Sequence, residues 1–286
     1  MNAGNESLQY RGRALIAGGG WKRARCWVNG GSICMTDEPD NPCISYEPAD
    51  HPQMVADFAR IESGDEQAAV DFAGRWGPLG SVLIGAPDAL PIESCSDELP
   101  WIYAHASRVR WCLEIAHQLY FGLEADLART IRSFCQATGG RAGQYARASQ
   151  VSIRIAVGDR DLVHQVEVAG FDQWADLARA VFQALINPVI EDIHPRLDVS
   201  TVGADDDRLV VRYWYDALIQ VIYLHLANIV ADKEGIDCCE YCGNFFLPSR
   251  KGQRYCPPQE MESESRCGRS ARYEKGKAGA IKPSKD

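Results

Sequence analysis

Cys239-Glu-Tyr-Cys242-Gly-Asn-Phe-Phe-Leu-Pro-Ser-Arg-Lys-Gly-Gln-Arg-Tyr-Cys256, followed after ten residues by Cys267-Gly-Arg-Ser-Ala-Arg272, is the stretch on which the reading of this 286-residue chain turns. A close cysteine pair and two later cysteines, about a hairpin apart, give the ligand spacing of a tetrahedral thiolate site. Zn²⁺ suits such a site because it is borderline soft and has no d-electron preference for another geometry. Cys239, Cys242, Cys256 and Cys267 are therefore the expected metal ligands, with zinc the expected cofactor. Cys238 adjoins the first ligand and is an alternative to it, although the two-residue gap favours Cys239. Metal binding would supply folding energy that so short and polar a segment lacks.

The residues between the ligands predict the local fold. Gly243, directly after the second ligand, permits a turn with positive φ. Phe245 to Leu247 reads as a short strand, Pro248 to Gly252 as a turn and Gln253 to Tyr255 as the return strand. Gly268 to Lys275 has helical character. Knuckle, hairpin and helix in that order describe a treble-clef-like zinc finger. Four thiolates around one Zn²⁺ carry a formal charge of −2, so nearby cations should offset it, and Arg254 and Arg266 each lie within two residues of a ligand.

The segment from Cys242 to Cys256, with Cys267-Gly-Arg-Ser-Ala-Arg272, resembles the CGNR-type zinc finger of bacterial regulator-like proteins. The shared features are a Cys-Gly pair, a Phe-Leu pair, Ser-Arg in the turn, an Arg-aromatic-Cys step, and a last Cys-Gly followed by Ala and a basic residue. Arg269-Ser270 stands where the family has Asn-Arg, and the gap before Cys267 is longer than is usual for the family. The resemblance implies a bacterial protein, metal ligation, and a regulator in which the finger serves an acidic sensor or dimer module. It carries over no role for an Asn-Arg pair. Upstream, Phe72-Ala-Gly-Arg-Trp-Gly-Pro-Leu-Gly80 is similar to a group of bacterial proteins with a terminal finger.

Charge divides along the chain. Net charge is −9, yet from Asp237 onward ten Lys/Arg face seven Asp/Glu, leaving +3 there and −12 in the remainder. The body should repel nucleic acid and the finger attract it. Arg269, Arg272 and Lys275 recur every three residues and would line one side of a short helix. With Arg250, Lys251 and Arg254 from the hairpin they are the expected phosphate contacts on DNA. Seven further cysteines are scattered, and Cys112 and Cys135 fall on an apolar helical face. Eleven is an odd total, the first twenty residues have no signal-peptide core, and the apolar run from Ala217 to Val230 is interrupted by Gln220, His225 and Asn228. These features predict a cytoplasmic protein with no membrane span.

The body reads as α+β, with a mainly helical region over 1–145, a hairpin-helix-hairpin-helix region over 146–235 that builds a small antiparallel sheet, the finger over 236–275 and a disordered basic tail over 276–286. Strands are expected near Arg13–Ile16 and Arg25–Val28. A helix from about Asp65 to Trp76 opens on the capping box Ser63-Gly-Asp-Glu66 and stops at Gly77-Pro78. Apolar residues from Val109 to Phe134 recur at three- and four-residue steps, predicting a long helix from Pro100 to Ala137 with a break near Gly122. Alternation predicts a hairpin over Val151–Val157 and Leu162–Val168. It predicts a second strand pair over Arg196–Val202 and Arg208–Tyr213. Helices follow each pair, to about Val189 and over Tyr215–Val230.

Other signals favour plain readings. Ala17-Gly-Gly-Gly20 lacks phosphate-loop spacing. Glu191, Asp192 and His194 read as a polar helix end, His225 as a hydrogen-bonded core residue, and His105 and His117 as neighbours of a packed face. No nucleophile elbow or paired carboxylate motif is present, so the chain is not expected to be an enzyme. Two functions remain open: a DNA-binding regulator, and a protein-interaction or defence-system component in which the finger only braces the body.

Overall fold

The computed structural model describes residues 9–12, 21–35, 44–80, 97–137, 150–157, 160–167, 174–191, 193–199, 209–231, 235–258 and 263–280. Along the chain run β1 (Gln9–Gly12), β2 (Trp21–Arg23), β3 (Cys26–Asn29), β4 (Ser32–Met35) and β5 (Ile44–Tyr46). Helices α1 (Gln53–Phe58) and α2 (Glu66–Trp76) follow, then β6 (Asp97–Glu98), α3 (Leu99–Tyr120) and α4 (Glu124–Ala137). Next come β7 (Gln150–Val157), β8 (Arg160–Glu167), α5 (Trp174–Ile190), β9 (His194–Val199), β10 (Leu209–Tyr215) and α6 (Leu218–Ala231). The finger contributes β11 (Asp237–Cys238), β12 (Phe245–Phe246) and α7 (Arg266–Ala280). The fold is mixed α+β, and none of the described helices is long and apolar enough to cross a membrane.

The two hairpins form as the alternation requires, with β7 antiparallel to β8 and β9 antiparallel to β10. Not foreseen was β1, which adds to the free edge of β10 in parallel and makes a three-stranded sheet ordered β1-β10-β9. A separate sheet, β3-β4-β6, is closed by Gly30-Gly31, both at positive φ, as a two-residue hairpin turn demands. Residues 13–16, Ala17–Gly20, 158–159 and 205–207 lie outside the described residues. So do Asp172, the expected cap of the helix that runs to about Val189, Asp192, and the side chains of Cys135 and His194.

Two local expectations are corrected and a third is met. The N-cap of α2 is Asp65, whose carboxylate accepts from the Ala68 amide at 2.9 Å, so Ser63 is not the capping residue. Asp65 wins because its side chain sits directly ahead of the first helical residue, with its oxygen level with the free amides. The long helix breaks near Gly122 as expected: that residue adopts φ +66 between α3 and α4, folding the apolar stripe back on itself. Lastly, α7 continues to Ala280, past Lys275, so residues 276–280 are helical rather than disordered.

One cluster of buried side chains runs from Trp21 to Ile236. Its centre is α6, where Leu218, Ile219, Val221, Ile222, Leu226 and Ile229 are buried, packed against Ile102, Ala106, Val109 and Leu113 of α3. Burying each large aliphatic side chain contributes about 1.5–3 kcal/mol, which is why this polar-interrupted helix is stable inside the body. Its polar members are satisfied. His225 Nε2 lies 3.1 Å from the Pro48 carbonyl, and Tyr223 meets His105 Nδ1 at 3.0 Å. Phe72 to Gly80 also packs inward, where the buried Asp97 carboxylate accepts from the amides of Leu79 (2.6 Å) and Gly80 (3.4 Å).

Candidate metal centre

Each cysteine of the finger reaches the centre on a different local device. Cys239 and Cys242 flank a tight knuckle in which the Gly243 amide returns to the Cys239 carbonyl at 2.8 Å, with Gly243 at φ +73. Asp237-Cys238 then lies antiparallel to Phe245-Phe246, pinned by the Cys239 amide on the Asn244 carbonyl at 2.9 Å. This corrects the expected hairpin. Phe245-Phe246 pairs with the residues before the knuckle, and Gln253 to Tyr255 is not a strand. The knuckle reverses the chain within its own length and brings 237–238 alongside 245–246 first. The return segment instead receives one tie, from the Glu240 amide to the Arg254 carbonyl at 3.0 Å.

Cys267 stands in the first turn of α7. Ser265 caps that helix, its hydroxyl accepting from the Gly268 amide at 3.0 Å while its carbonyl receives the Arg269 amide at 3.0 Å. Gly268 is small for a reason: a Cβ there would come within 3.1 Å of Ser265 Oγ and 3.4 Å of Glu264 Oε1.

The four sulfurs of Cys239, Cys242, Cys256 and Cys267 all lie within 4.8 Å of one another, with Cys242 and Cys256 at 3.6 Å. Thiolates bound at about 2.3 Å to one tetrahedral zinc are separated by roughly 3.8 Å, so the cluster can close on a metal ion with small side-chain adjustments. Cys238 is not part of it; its thiol donates to the Gly243 carbonyl at 3.1 Å. In the metal-free protein the four are not equivalent. Burial raises the Cys239 thiol, but the backbone amides of Cys242, Cys256 and Tyr241 outweigh it and bring the pKa down to about 7. Burial, with the Cys242 thiol and neighbouring sulfurs adding to it, pushes Cys267 up to about 11. Burial likewise raises Cys256, against the opposing Arg60 guanidinium. Metal binding takes thiolates, so the raised thiols of Cys256 and Cys267 must release their protons as the ion binds.

Comparison with protein-family models, with curated proteins and with solved structures finds no match to this chain. Chemistry and geometry therefore carry the assignment, and what they establish is a cysteine cluster able to hold a metal.

The cations expected to meet phosphate are spread around the finger, and carboxylates accompany several of them. Arg254 pairs with Glu240 and Arg272 with Glu264, while Arg269 donates to the Glu264 carbonyl at 3.4 Å. Tyr241 donates to Glu274 at 3.2 Å and ties α7 to the knuckle. Arg250, Lys251 and Lys275 are exposed. Arg250 and Arg254 border a cleft of about 420 Å³ between the segment Ser249–Cys256 and the start of α7, lined also by Glu264 and Ser265.

The finger is docked on the body. Phe246 is fully buried, and Phe245 lies 5.8 Å from the His117 ring of α3. An Arg60 guanidinium nitrogen lies 3.6 Å from the Cys256 sulfur. Arg60 escaped the sequence reading because nothing local marks it. It is separated from Cys256 by 196 positions, and only the fold brings the two together.

Proposed function

We propose that Cys239, Cys242, Cys256 and Cys267 hold one zinc ion and that the finger so formed, CGNR-like in its residues, binds duplex DNA, serving a cytoplasmic bacterial regulator. The observation that carries the metal half of the reading is the convergence of four sulfurs on one point. Four thiolates without an imidazole or carboxylate favour zinc over calcium, magnesium or manganese, which prefer oxygen. Support for the DNA half is electrostatic. Among the described residues, Arg250, Lys251, Arg269 and Lys275 have no carboxylate within ion-pair distance, whereas Arg254 and Arg272 have one each. The first four are therefore the better phosphate contacts.

The docking of Phe245, Phe246 and Cys256 on the body favours a second reading, in which the zinc braces an interaction surface and no nucleic acid is bound. Two measurements test them, and the second separates them. Elemental analysis of purified protein should find about one zinc per chain, lost in Cys256→Ser; absence of zinc ends both readings. A gel shift with duplex DNA at about 50 mM salt should give a complex that Arg250→Glu/Lys251→Glu abolishes. No complex at that salt rejects the DNA reading and leaves the brace.

A further inference from the structure

We propose that Arg60, a residue of the body, completes the outer shell of the metal centre. The proposal rests on the zinc reading above and adds to it a part of the site that lies outside the finger. Arg60 follows the C-terminus of α1 and places one guanidinium nitrogen 3.6 Å from Cys256 Sγ. Its other terminal nitrogen donates to Asp57 Oδ1 at 3.2 Å. The second oxygen of that carboxylate accepts from Arg75 at 3.1 Å and from the Trp76 indole at 3.3 Å. Arg110 of α3 grips the backbone on either side of Arg60, donating to the carbonyls of Ala59 at 2.8 Å and Ile61 at 2.9 Å. Side chain and backbone are thus both held from the body, with the guanidinium aimed at the sulfur.

A zinc ion with four thiolates leaves a formal −2 in a partly desolvated place. An N–H donor on one sulfur withdraws electron density from the metal–sulfur bond, and its positive charge offsets half of that excess. Arg254 and Arg272 of the finger are committed to Glu240 and Glu264. Arg60 shares Asp57 with Arg75, so one carboxylate serves two guanidinia and positive charge is left over for the metal centre. The segment Phe72 to Gly80 gains a role beyond packing: Arg75 and Trp76 orient Asp57, which orients Arg60. These are positioning residues, and metal affinity becomes a property of the whole chain.

The experiment uses the full-length protein, stripped of metal and reloaded with zinc in competition with a chelating dye, and with cobalt(II) as a spectroscopic stand-in. Arg60→Ala is expected to weaken metal binding by about tenfold to a hundredfold, as loss of an outer-shell partner does. Its thiolate-to-cobalt charge-transfer band should move to longer wavelength, because the Cys256 sulfur becomes more electron-rich. Arg60→Lys should recover part of both. Arg60→Gln keeps much of the stem, guards against loss of folding, and should behave like Arg60→Ala. Arg129→Ala, which breaks an exposed ion pair with Asp126 on α4, should change neither. Wild-type affinity and an unmoved band in Arg60→Gln overturn the proposal and leave the zinc reading intact. Failure of the unmutated chain to take up zinc or cobalt overturns both.

Discussion

Ser265 and His105 show how much single side chains decide. Ser265 contributes no ligand, but its hydroxyl holds the Gly268 amide and so sets where α7, and with it Cys267, begins. Ser265→Ala is expected to cost about 1 kcal/mol, the usual worth of an N-cap. A lower denaturant midpoint at unchanged zinc content would register it. His105 acts through what it refuses. Burial, reinforced by the Arg108 guanidinium, lowers its pKa to about 3. An unfolded chain takes up that proton near the ordinary value of about 6.5, whereas the native chain does not until far lower pH. Stability should therefore fall as pH drops from about 6.5 toward 3 and be indifferent to His105 above that window. Burial pushes His225 in the same direction. Urea unfolding at about pH 7.5 and about pH 5 should show the acid loss, and His105→Asn should reduce the difference between the two.

The helices and hairpins owe their existence to different causes. Helix α6 is apolar nearly all round, and it forms because both α3 and α5 pack against it. Leu226 of this helix is fully buried. Leu226→Ala is expected to destabilise the protein by about 2–5 kcal/mol, with thermal unfolding as the measure. An exposed change such as Arg129→Ala should stay within about 0.5 kcal/mol. The break between α3 and α4 shows where periodicity stops being informative. The three-and-four spacing continues through Gly122 because both helices bury the same kind of stripe, so the glycine, at φ +66, and not the periodicity marks the reversal. The finger hairpin failed for the opposite reason. Its residues had strand character on both arms, yet the knuckle supplied a nearer partner for Phe245-Phe246.

Across the molecule, charge is partitioned: −12 before Asp237 and +3 from there on. If Arg250, Lys251, Arg269 and Lys275 each neutralise one phosphate, log affinity for duplex DNA should fall against log salt with a slope of about −3.6. Arg250→Glu should flatten that slope by about 0.9, as titrations at several salt concentrations would show. The four metal ligands, the Gly243 turn, the strand alternation of both hairpins and the buried stripe of α6 were all legible in the residue order. Each depends on neighbours a few positions apart, and short-range sterics and periodicity act over that distance. The parallel addition of β1 to β10, the reach of Arg60 to Cys256 and the role of Arg75 and Trp76 behind it were not. They join segments from 18 to 203 positions apart, and such contacts exist only once burial of the shared core has brought those segments together.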